Sequence, residues 1–374
     1  MLSFRKFFDT ATKSHDSLLP TLNSSLPSPS ILLIKLRHHG DVLLTTPVAR
    51  ALKAHFSNSQ IDFLVYKGTA DLLKNNPDLC RAWPLDRQKK GWQKFWHQLQ
   101  LLWQLRSQKY DCVIHLSDQM QGAFFAKLLG AKKTIGIDYP KRRNFLWRFC
   151  FTHLVPLFES NTRHTVEQNL MTLEPLGIKA KGEEAQCRLV ISNRDKEAVK
   201  KILISSGITK PYLLVHPASR WFFKCWEDDR FAQVIQYFAD HDWPIVITSA
   251  PDPNEIKLVD SILKKITSYN ILSLAGQLTL PELAAIIDDA RLFLGVDSVP
   301  MHMAAALQKD VVALFGPSKV NEWRPWITRY RLIDARDYGP LLNPDSVNTK
   351  TTERYLSHIP VEPVIAAIKD LLAS

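Results

Sequence analysis

Short apolar runs alternate with helix-length segments along this chain, and this alternation limits the fold more than any other feature. In the first half, the runs ILLIKL, IDFLVY and DCVIHL are separated by segments with helical periodicity at 47–56 and 92–107. A second series starts at residue 212 and contains YLLVH, PIVITS, ILSLAG, RLFLGV and VVALFG. Strands that alternate with helices form parallel sheets covered by helices, joined by right-handed connections. The sequence therefore predicts an α/β protein with two doubly wound, Rossmann-like domains.

The chain has 374 residues, which is enough for two hydrophobic cores. We place the boundary between the domains within 177–211, where the stretch GIKAKGEEAQ is polar. The resulting division has four parts: a flexible Ser- and Pro-rich extension at 1–30, a first domain at 31–185, a second domain at 186–345, and a C-terminal segment at 346–374. We expect the helix of this last segment to pack back toward the first domain, and the two domains to face a central cleft.

Ligands of open parallel sheets collect beyond the carboxyl ends of the strands. Polar residues follow the apolar runs at four places, and we expect these to line the cleft. They are RHHGD at 37–41, HPASR at 216–220 together with Lys224, the stretch 249–255, and DSVPMH at 297–302.

The segment 297–302 connects an apolar strand to an Ala-rich helix. Ser298 can cap this helix, and Pro300 suits its first turn. Unpaired N–H groups at a helix start bind anions, so the pattern favours a phosphate or pyrophosphate near Asp297 and His302. The alternative is an ordinary strand-to-helix connection.

The turn after the first strand contains Gly40 but lacks the GxGxxG spacing of a dinucleotide site, which disfavours an NAD-dependent dehydrogenase. Asp41 follows, and Thr45 or Thr46 with Pro47 opens an amphipathic helix. Asp41 could be a helix cap or a loop carboxylate. At the cleft end of a strand it could instead act as a general base toward a hydroxyl group.

Lys224 lies among aromatic residues in SRWFFKCWEDD, shortly after another strand. It could be a surface lysine over exposed rings. In the cleft, together with Arg220 and Ser219, it would instead neutralise a departing diphosphate. None of the four cleft segments contains a DxD motif, and we identify no cluster of histidines, so we expect neither a metal site nor a cofactor.

The charge balance of 48 basic and 37 acidic residues gives +11 and indicates an anionic partner. The five cysteines are scattered without a CxxC pair, which favours a reducing cytoplasm. We identify neither a membrane-spanning run nor a signal peptide.

Two basic and aromatic segments occur in the first half. Residues 87–109 contain six Lys or Arg and no acid, with large apolar residues at helical spacing, and KRRNFLWR follows at 141–148. Such a stripe is commonly buried core. It could also contact an anionic membrane or the phosphates of a glycolipid.

Three segments together resemble glycosyltransferase family 9, the ADP-heptose:lipopolysaccharide heptosyltransferases. They are ILLIKLRHHGDVLLTTPVARALKAHFSNSQIDFLV, HPASRWFFKCWEDDRFAQVI and GVDSVPMHMAAALQKDVVALFGPS, and the resemblance spans about 31–330. Within the family, the segments look most like transferases that add the third, branching heptose of the inner core. The resemblance implies a GT-B fold whose first domain binds the acceptor and whose second domain binds the donor.

The resemblance further implies that Asp41 is the catalytic base of an inverting, metal-independent transfer. Implied acceptor-binding residues are Arg37, His38, His39 and Gly40. Implied donor-binding residues are Ser219, Arg220, Lys224, Asp252, Glu255, Asp297, Ser298, Met301 and His302. For the carboxylate that holds the ribose, Asp252 and Glu255 remain alternatives, and His302 could simply satisfy a backbone carbonyl.

The expected partners are ADP-heptose and an anionic lipopolysaccharide inner-core acceptor, without nucleic acid. The expected location is the cytoplasm, peripherally attached to the inner face of the cytoplasmic membrane. Two alternatives stay open: a GT-B transferase with another nucleotide sugar, and a noncatalytic protein that binds anionic membranes or nucleic acid.

Overall fold

Two parallel six-stranded sheets form the framework of the protein, which confirms the predicted α/β, GT-B type of architecture. The computed structural model describes residues 28–340 and 342–373. The first sheet has the order β3-β2-β1-β4-β5-β6 and consists of β1 (Ser30–Lys35), β2 (Gln60–Tyr66), β3 (Arg81–Leu85), β4 (Cys112–His115), β5 (Lys133–Asp138) and β6 (His153–Pro156). The second has the order β12-β11-β10-β7-β8-β9 and consists of β7 (Leu213–His216), β8 (Ile245–Ile247), β9 (Ile271–Ser273), β10 (Leu292–Val296), β11 (Asp310–Phe315) and β12 (Tyr330–Asp334).

Central strands of a parallel sheet are covered on both faces, so they need continuous apolar sequence. In β1 every residue after Ser30 is buried, and β10 is buried throughout. These are the strands that the apolar runs predict most clearly, and the cleft residues follow directly after them.

The helices cover both sheets, and several begin with residues that cap their first turn. Thr279 and Glu282 form a capping box at the start of one helix, and Ser192 caps another. In chain order the helices are α1 (His39–Leu43), α2 (Thr46–His55), α3 (Gly91–Ser107), α4 (Met120–Leu128), α5 (Phe145–Phe149), α6 (Thr165–Leu170), α7 (Asn193–Ser205), α8 (Asp228–Ala239), α9 (Pro253–Leu263), α10 (Leu280–Asp289), α11 (Val299–Ala306), α12 (Val320–Trp323) and α13 (Val361–Ala373).

The two domains share buried surface. Leu43 and Leu72 from the first domain belong to the same apolar cluster as Met301 and Phe315 of the second. The chain leaves the first core near Ile178 and joins the second near Leu189.

Polar contacts reinforce this junction. The Arg188 guanidinium pairs with the buried Asp78 carboxylate at 2.8 Å, and the Arg188 backbone N–H donates to the Thr46 hydroxyl at 2.9 Å. The His164 ring stacks on Trp326 with centroids 4.4 Å apart, and its Nε2 donates to the Arg324 carbonyl. Both domains are therefore held in one arrangement around the cleft.

The C-terminal helix differs from the expectation. Val364, Ile368 and Leu371 of α13 are buried in the core of the second domain, where α13 packs on α8 and on the second sheet. The expectation that this helix packs back toward the first domain is wrong, because its apolar side completes the cover of the second sheet. Of the predicted extension at 1–30, residues 1–27 lie outside the described part of the chain.

Candidate active site

Asp41 lies in the first turn of α1, the short helix that follows β1. Its carboxylate does not cap α2, and the Thr45 hydroxyl donates to the Asp41 main-chain carbonyl at 2.7 Å. Within 28–340 and 342–373, no side chain forms a hydrogen bond or ion pair with this carboxylate, which is partly exposed. Asp41 is thus free to accept a proton from a bound hydroxyl group.

The helix that contains Asp41 touches the first turn of α11 in the other domain. An added Cβ at Gly40 would lie 3.3 Å from His302 Cδ2 and 3.7 Å from Val299 Cγ2. The predicted acceptor and donor motifs are therefore in contact across the cleft.

Lys35, at the end of β1, is a buried cation close to Asp41. Its Nζ donates to the Leu116 carbonyl at 2.7 Å and to Asn169 Oδ1 at 3.3 Å, and Asn169 Nδ2 donates to the Leu44 carbonyl at 3.0 Å. Burial lowers the pKa of Lys35 to about 8, and the nearby Asp41 charge partly opposes this effect. Lys35 is not among the predicted site residues because it occurs inside the apolar run ILLIKL.

Asp118, at the carboxyl end of β4, was also missed. This buried carboxylate pairs with Arg37 at 3.5 Å and with Lys141, and its main-chain carbonyl accepts from Arg142. Burial would raise the pKa of Asp118, but Lys141 and Arg37 hold it below its usual value. The rule that located the other cleft residues would have found Asp118, since Ser117 and Asp118 directly follow an apolar run.

The other predicted acceptor residues lie at the cleft mouth. The Arg220 guanidinium donates to His38 Nδ1 at 3.3 Å across the domains, and His39 Nε2 donates to the Gly68 carbonyl at 2.8 Å. Burial and the Arg220 charge both lower the pKa of His38. Arg220 follows β7 in the second domain, but its side chain contacts the acceptor side of the cleft.

Lys224 and Asp297 form a buried ion pair with Nζ and Oδ2 2.5 Å apart. Lys224 ends the turn Phe222–Lys224, and Asp297 follows β10. Burial would raise the pKa of Asp297, but Lys224 and His302 outweigh it and lower the pKa. The pair fixes the Lys224 ammonium at the end of the second sheet, where two of its three N–H donors remain for other oxygen atoms.

His302 and Ser298 lie at the start of α11. Burial lowers the pKa of His302 to about 4, so the ring is neutral at pH 7, and its Nδ1 is buried without a partner among the described residues. Ser298 occupies the cap position, but its buried hydroxyl makes no capping bond and has no hydrogen-bond partner within the ranges that the structure describes. The prediction that Ser298 caps the helix through its side chain is wrong, and the first-turn N–H groups of α11 stay open to a ligand.

The remaining predicted donor residues fall into two groups. Ser219 is buried, and its hydroxyl accepts weakly from the Trp221 N–H at 3.4 Å. Met301 is fully buried among core residues, so its side chain packs in the interior and does not face the donor.

Asp252 and Glu255 both stabilise the start of α9. Asp252 is exposed and caps the helix by accepting from the Asn254 N–H, whereas Glu255 accepts from the Ala250 N–H at 2.9 Å. Burial raises the pKa of Glu255, and its charge acts on Cys225, beside Lys224. Of the two, Glu255 is the more buried, whereas Asp252 is exposed.

Three further features describe the chain outside the cleft. Over the described ranges, no group of three or more His, Cys, Asp and Glu could hold a metal ion. The five cysteines are free, and four of them are buried. None of the helices in 28–340 and 342–373 has the length and hydrophobicity required to traverse a bilayer.

Comparison with known proteins places this geometry in a family. The model of glycosyltransferase family 9 (heptosyltransferase) matches residues 98–352. A lipopolysaccharide heptosyltransferase 3 of Escherichia coli is 36% identical over 340 residues, which cover 91% of this chain and 98% of the relative.

Solved structures agree with the fold. A glycosyltransferase of family 9 from Veillonella parvula superposes with a TM-score of 0.81 at 23% identity, covering 92% of this chain and 97% of that one. The E. coli heptosyltransferase WaaC, solved with ADP, superposes with a TM-score of 0.72 at 17% identity, covering 91% and 99%. Because the family model matches more than half of this chain, the chain belongs to glycosyltransferase family 9, the heptosyltransferases.

Proposed function

We propose that the protein transfers L-glycero-D-manno-heptose from ADP-heptose to a heptose of the lipopolysaccharide inner core, with inversion. The similarity to a lipopolysaccharide heptosyltransferase 3 over nearly the whole of both chains supports this substrate class and addition of the third, branching heptose. The observation that supports the chemistry best is the Asp41 carboxylate, which has no partner in the described part of the chain and lies next to the donor motif of the other domain.

In the proposed reaction, the acceptor hydroxyl donates its proton to Asp41 while its oxygen attacks the anomeric carbon of the donor. The bond between this carbon and the diphosphate oxygen breaks, and ADP leaves with the electron pair. Attack from the face opposite the leaving group inverts the anomeric centre. Asp41 can take this proton because no group among residues 28–340 and 342–373 forms a hydrogen bond or ion pair with its carboxylate.

The departing diphosphate develops negative charge, which Lys224 and the open N–H groups of α11 would stabilise. Asp297 keeps Lys224 in place before the donor binds, and a diphosphate can then use the remaining ammonium protons. Because these groups supply positive charge themselves, we propose transfer without a metal ion. For the ribose we favour Glu255, since Asp252 is exposed and engaged as a helix cap.

The first experiment measures ADP release from ADP-heptose with a truncated lipopolysaccharide that exposes inner-core heptose, in buffer containing EDTA. Wild type should release ADP, and Asp41→Asn should lose about a thousandfold in kcat with little change in the KM of the donor. Lys224→Ala should lose both donor affinity and kcat. Asp289→Asn is the matched control and should leave kcat unchanged, because it neutralises an exposed carboxylate at the end of α10, just before β10 begins and thus at the opposite edge of the sheet from the cleft.

The outcomes separate the alternatives. If the enzyme released no ADP from ADP-heptose but released the nucleotide from another nucleotide sugar, that sugar would be the donor. If the Asp41→Asn variant kept its activity, Asp41 would not be the catalytic base. If the wild-type enzyme were active only after a divalent ion was added, transfer without a metal ion would be contradicted.

We further propose that the enzyme works peripherally at the inner face of the cytoplasmic membrane. An acceptor with a lipid anchor is presented at a membrane surface, and the excess of basic residues in this chain suits anionic lipid.

A further inference from the structure

The first domain concentrates exposed large apolar side chains on three neighbouring helices, whereas such residues are ordinarily scattered singly over a protein surface. Seventeen large apolar side chains are exposed in the described part of the chain, and ten of them belong to α3, α4 and α5. The ten are Trp92, Phe95, Trp96, Leu99, Trp103, Phe124, Leu128, Phe145, Leu146 and Phe149. These helices pack side by side, α3 on α4 and α4 on α5. We call this surface the α3–α5 face.

The exposure on α3 follows from its sequence. Leu101 and Leu105 are its buried residues and attach it to the core of the first domain. The aromatic residues from Trp92 to Trp103 recur at helical spacing on another side of the helix. Trp92 and Trp103 are 77% and 74% exposed, so the stripe is not the buried core that its spacing would ordinarily indicate.

The short helix α5 is held so that its apolar residues point outward. Trp147 is fully buried, its Nε1 donates to the Ile137 carbonyl at 3.1 Å, and Asn144 caps the helix. With Trp147 anchored inside, Phe145 and Phe149 are displayed outside and stack with centroids 5.9 Å apart.

The charges on this surface have one sign. The sequences of α3, α4 and α5 contain no Asp or Glu. Lys127 of α4 lies 4.1 Å over the Phe149 ring, and Arg106 of α3 donates to the Leu128 carbonyl. Further exposed cations on or beside these helices are Arg87, Lys89, Lys90, Lys94 and Arg148. Exposed aromatic rings among cations, without acids, match the interface of an anionic bilayer.

We propose that the α3–α5 face binds anionic lipid, with its aromatic side chains inserted between headgroups and its cations on lipid phosphates. A second copy of the chain fits this face poorly. A twofold interface would place the same acid-free, cationic surface against itself, and like charges would then meet. The proposal deepens the membrane attachment proposed above and assigns it to a defined surface of the domain that takes the acceptor.

The test uses co-sedimentation of the full-length protein with vesicles of pure phosphatidylcholine or of phosphatidylcholine with phosphatidylglycerol. We expect binding to the anionic vesicles that weakens with salt, and little binding to the zwitterionic ones. Trp92→Ser, Trp96→Ser and Phe145→Ser combined should weaken binding at least about tenfold. Lys89→Gln, Lys90→Gln and Lys94→Gln combined should weaken it about 100-fold at low salt.

Matched controls alter equally exposed residues of the second domain. Ile204→Ser with Tyr269→Ser should leave vesicle binding unchanged, and so should Lys200→Gln with Lys201→Gln. Release of ADP with a water-soluble, delipidated acceptor should be the same in all these variants. This readout separates the lipid-binding face from the transfer reaction, which the Asp41 and Lys224 variants test.

Two results would overturn the proposal. One is wild-type binding that does not depend on lipid charge or that persists in both α3–α5 variants. The other is a wild-type dimer, seen by analytical ultracentrifugation, that the triple serine variant converts to a monomer while vesicle binding stays the same.

Discussion

The two domains have the same strand order but use their outer helices differently. Counted within each domain, both sheets run 3-2-1-4-5-6. In the second domain, α10 connects the third and fourth strands, as α3 does in the first, and it buries five of its ten residues. In the first domain, α3 buries two of its seventeen residues and leaves its aromatic stripe in solvent. A shared topology therefore does not determine which surfaces an α/β domain leaves open.

The crevices differ in the same way. The second domain neutralises its buried charge internally, through the Lys224–Asp297 pair. The first domain leaves Asp41 without a partner among the described residues and places the buried Lys35 nearby. One crevice is prepared for a diphosphate and the other for proton transfer, although both lie at equivalent points of equivalent sheets.

Substitution of one aromatic residue in each domain tests the contrast between their helices most strongly. Phe231→Ala in α8 should lower the free energy of unfolding by about 4 kcal/mol, because Phe231 is fully buried and the change leaves a cavity. Trp96→Ala in α3 should change it by less than about 0.5 kcal/mol, because Trp96 is 62% exposed. Urea unfolding measures both, and equal losses would show that the α3 stripe is structural.

The contrast between the crevices predicts a smaller effect. Lys224→Ala should destabilise the protein by about 3 kcal/mol, because it leaves the buried Asp297 carboxylate unpaired. Adding Asp297→Asn should restore most of this stability without restoring turnover. Asp41→Asn should leave stability nearly unchanged, which thermal unfolding can check. A similar loss from Asp41→Asn would mean that Asp41 has a structural role.

Acid sensitivity should be common to both domains. Burial lowers the pKa of His115 to about 3 and that of His216 to about 4. Below pH 6.5 these histidines are protonated in the unfolded chain but stay neutral in the folded protein, which favours unfolding. Their contribution to the free energy of unfolding is therefore complete above pH 6.5 and is lost as the pH falls toward 4. Between pH 7 and pH 5 each should contribute a loss of roughly 2 kcal/mol. His216→Gln should remove the part of this loss that comes from His216. The free energy of unfolding, measured in urea, should then fall less steeply between pH 7 and pH 5.

The sequence predicts the central strands well and the edge strands poorly. β1, β4, β7 and β10 are buried apolar runs, and all were identified. Of the four edge strands, β3, β6 and β12 were missed and β9 was identified, and the inner strand β5 was also missed. An edge strand pairs on one side only, so it tolerates Pro84 in β3 and polar residues in β12.

The cleft residues were found because they follow strands, a rule that needs no knowledge of side-chain contacts. That rule does not predict which side chains contact each other or which way they point. The sequence does not show that Lys224 reaches Asp297, that Met301 turns into the core, or that the Ser298 hydroxyl leaves the helix uncapped. These depend on how distant segments meet in three dimensions.

The absence of a side chain at residue 40 sets the smallest distance to which the two halves of the enzyme can close. A methyl group there would meet the His302 ring at 3.3 Å, so Gly40→Ala would act as a spacer of a few tenths of an ångström between base and donor. Transfer between two bound sugars depends on separations of that size. The missing Cβ at residue 40 thus lets Asp41 lie closer to the donor motif than any other residue type at position 40 would.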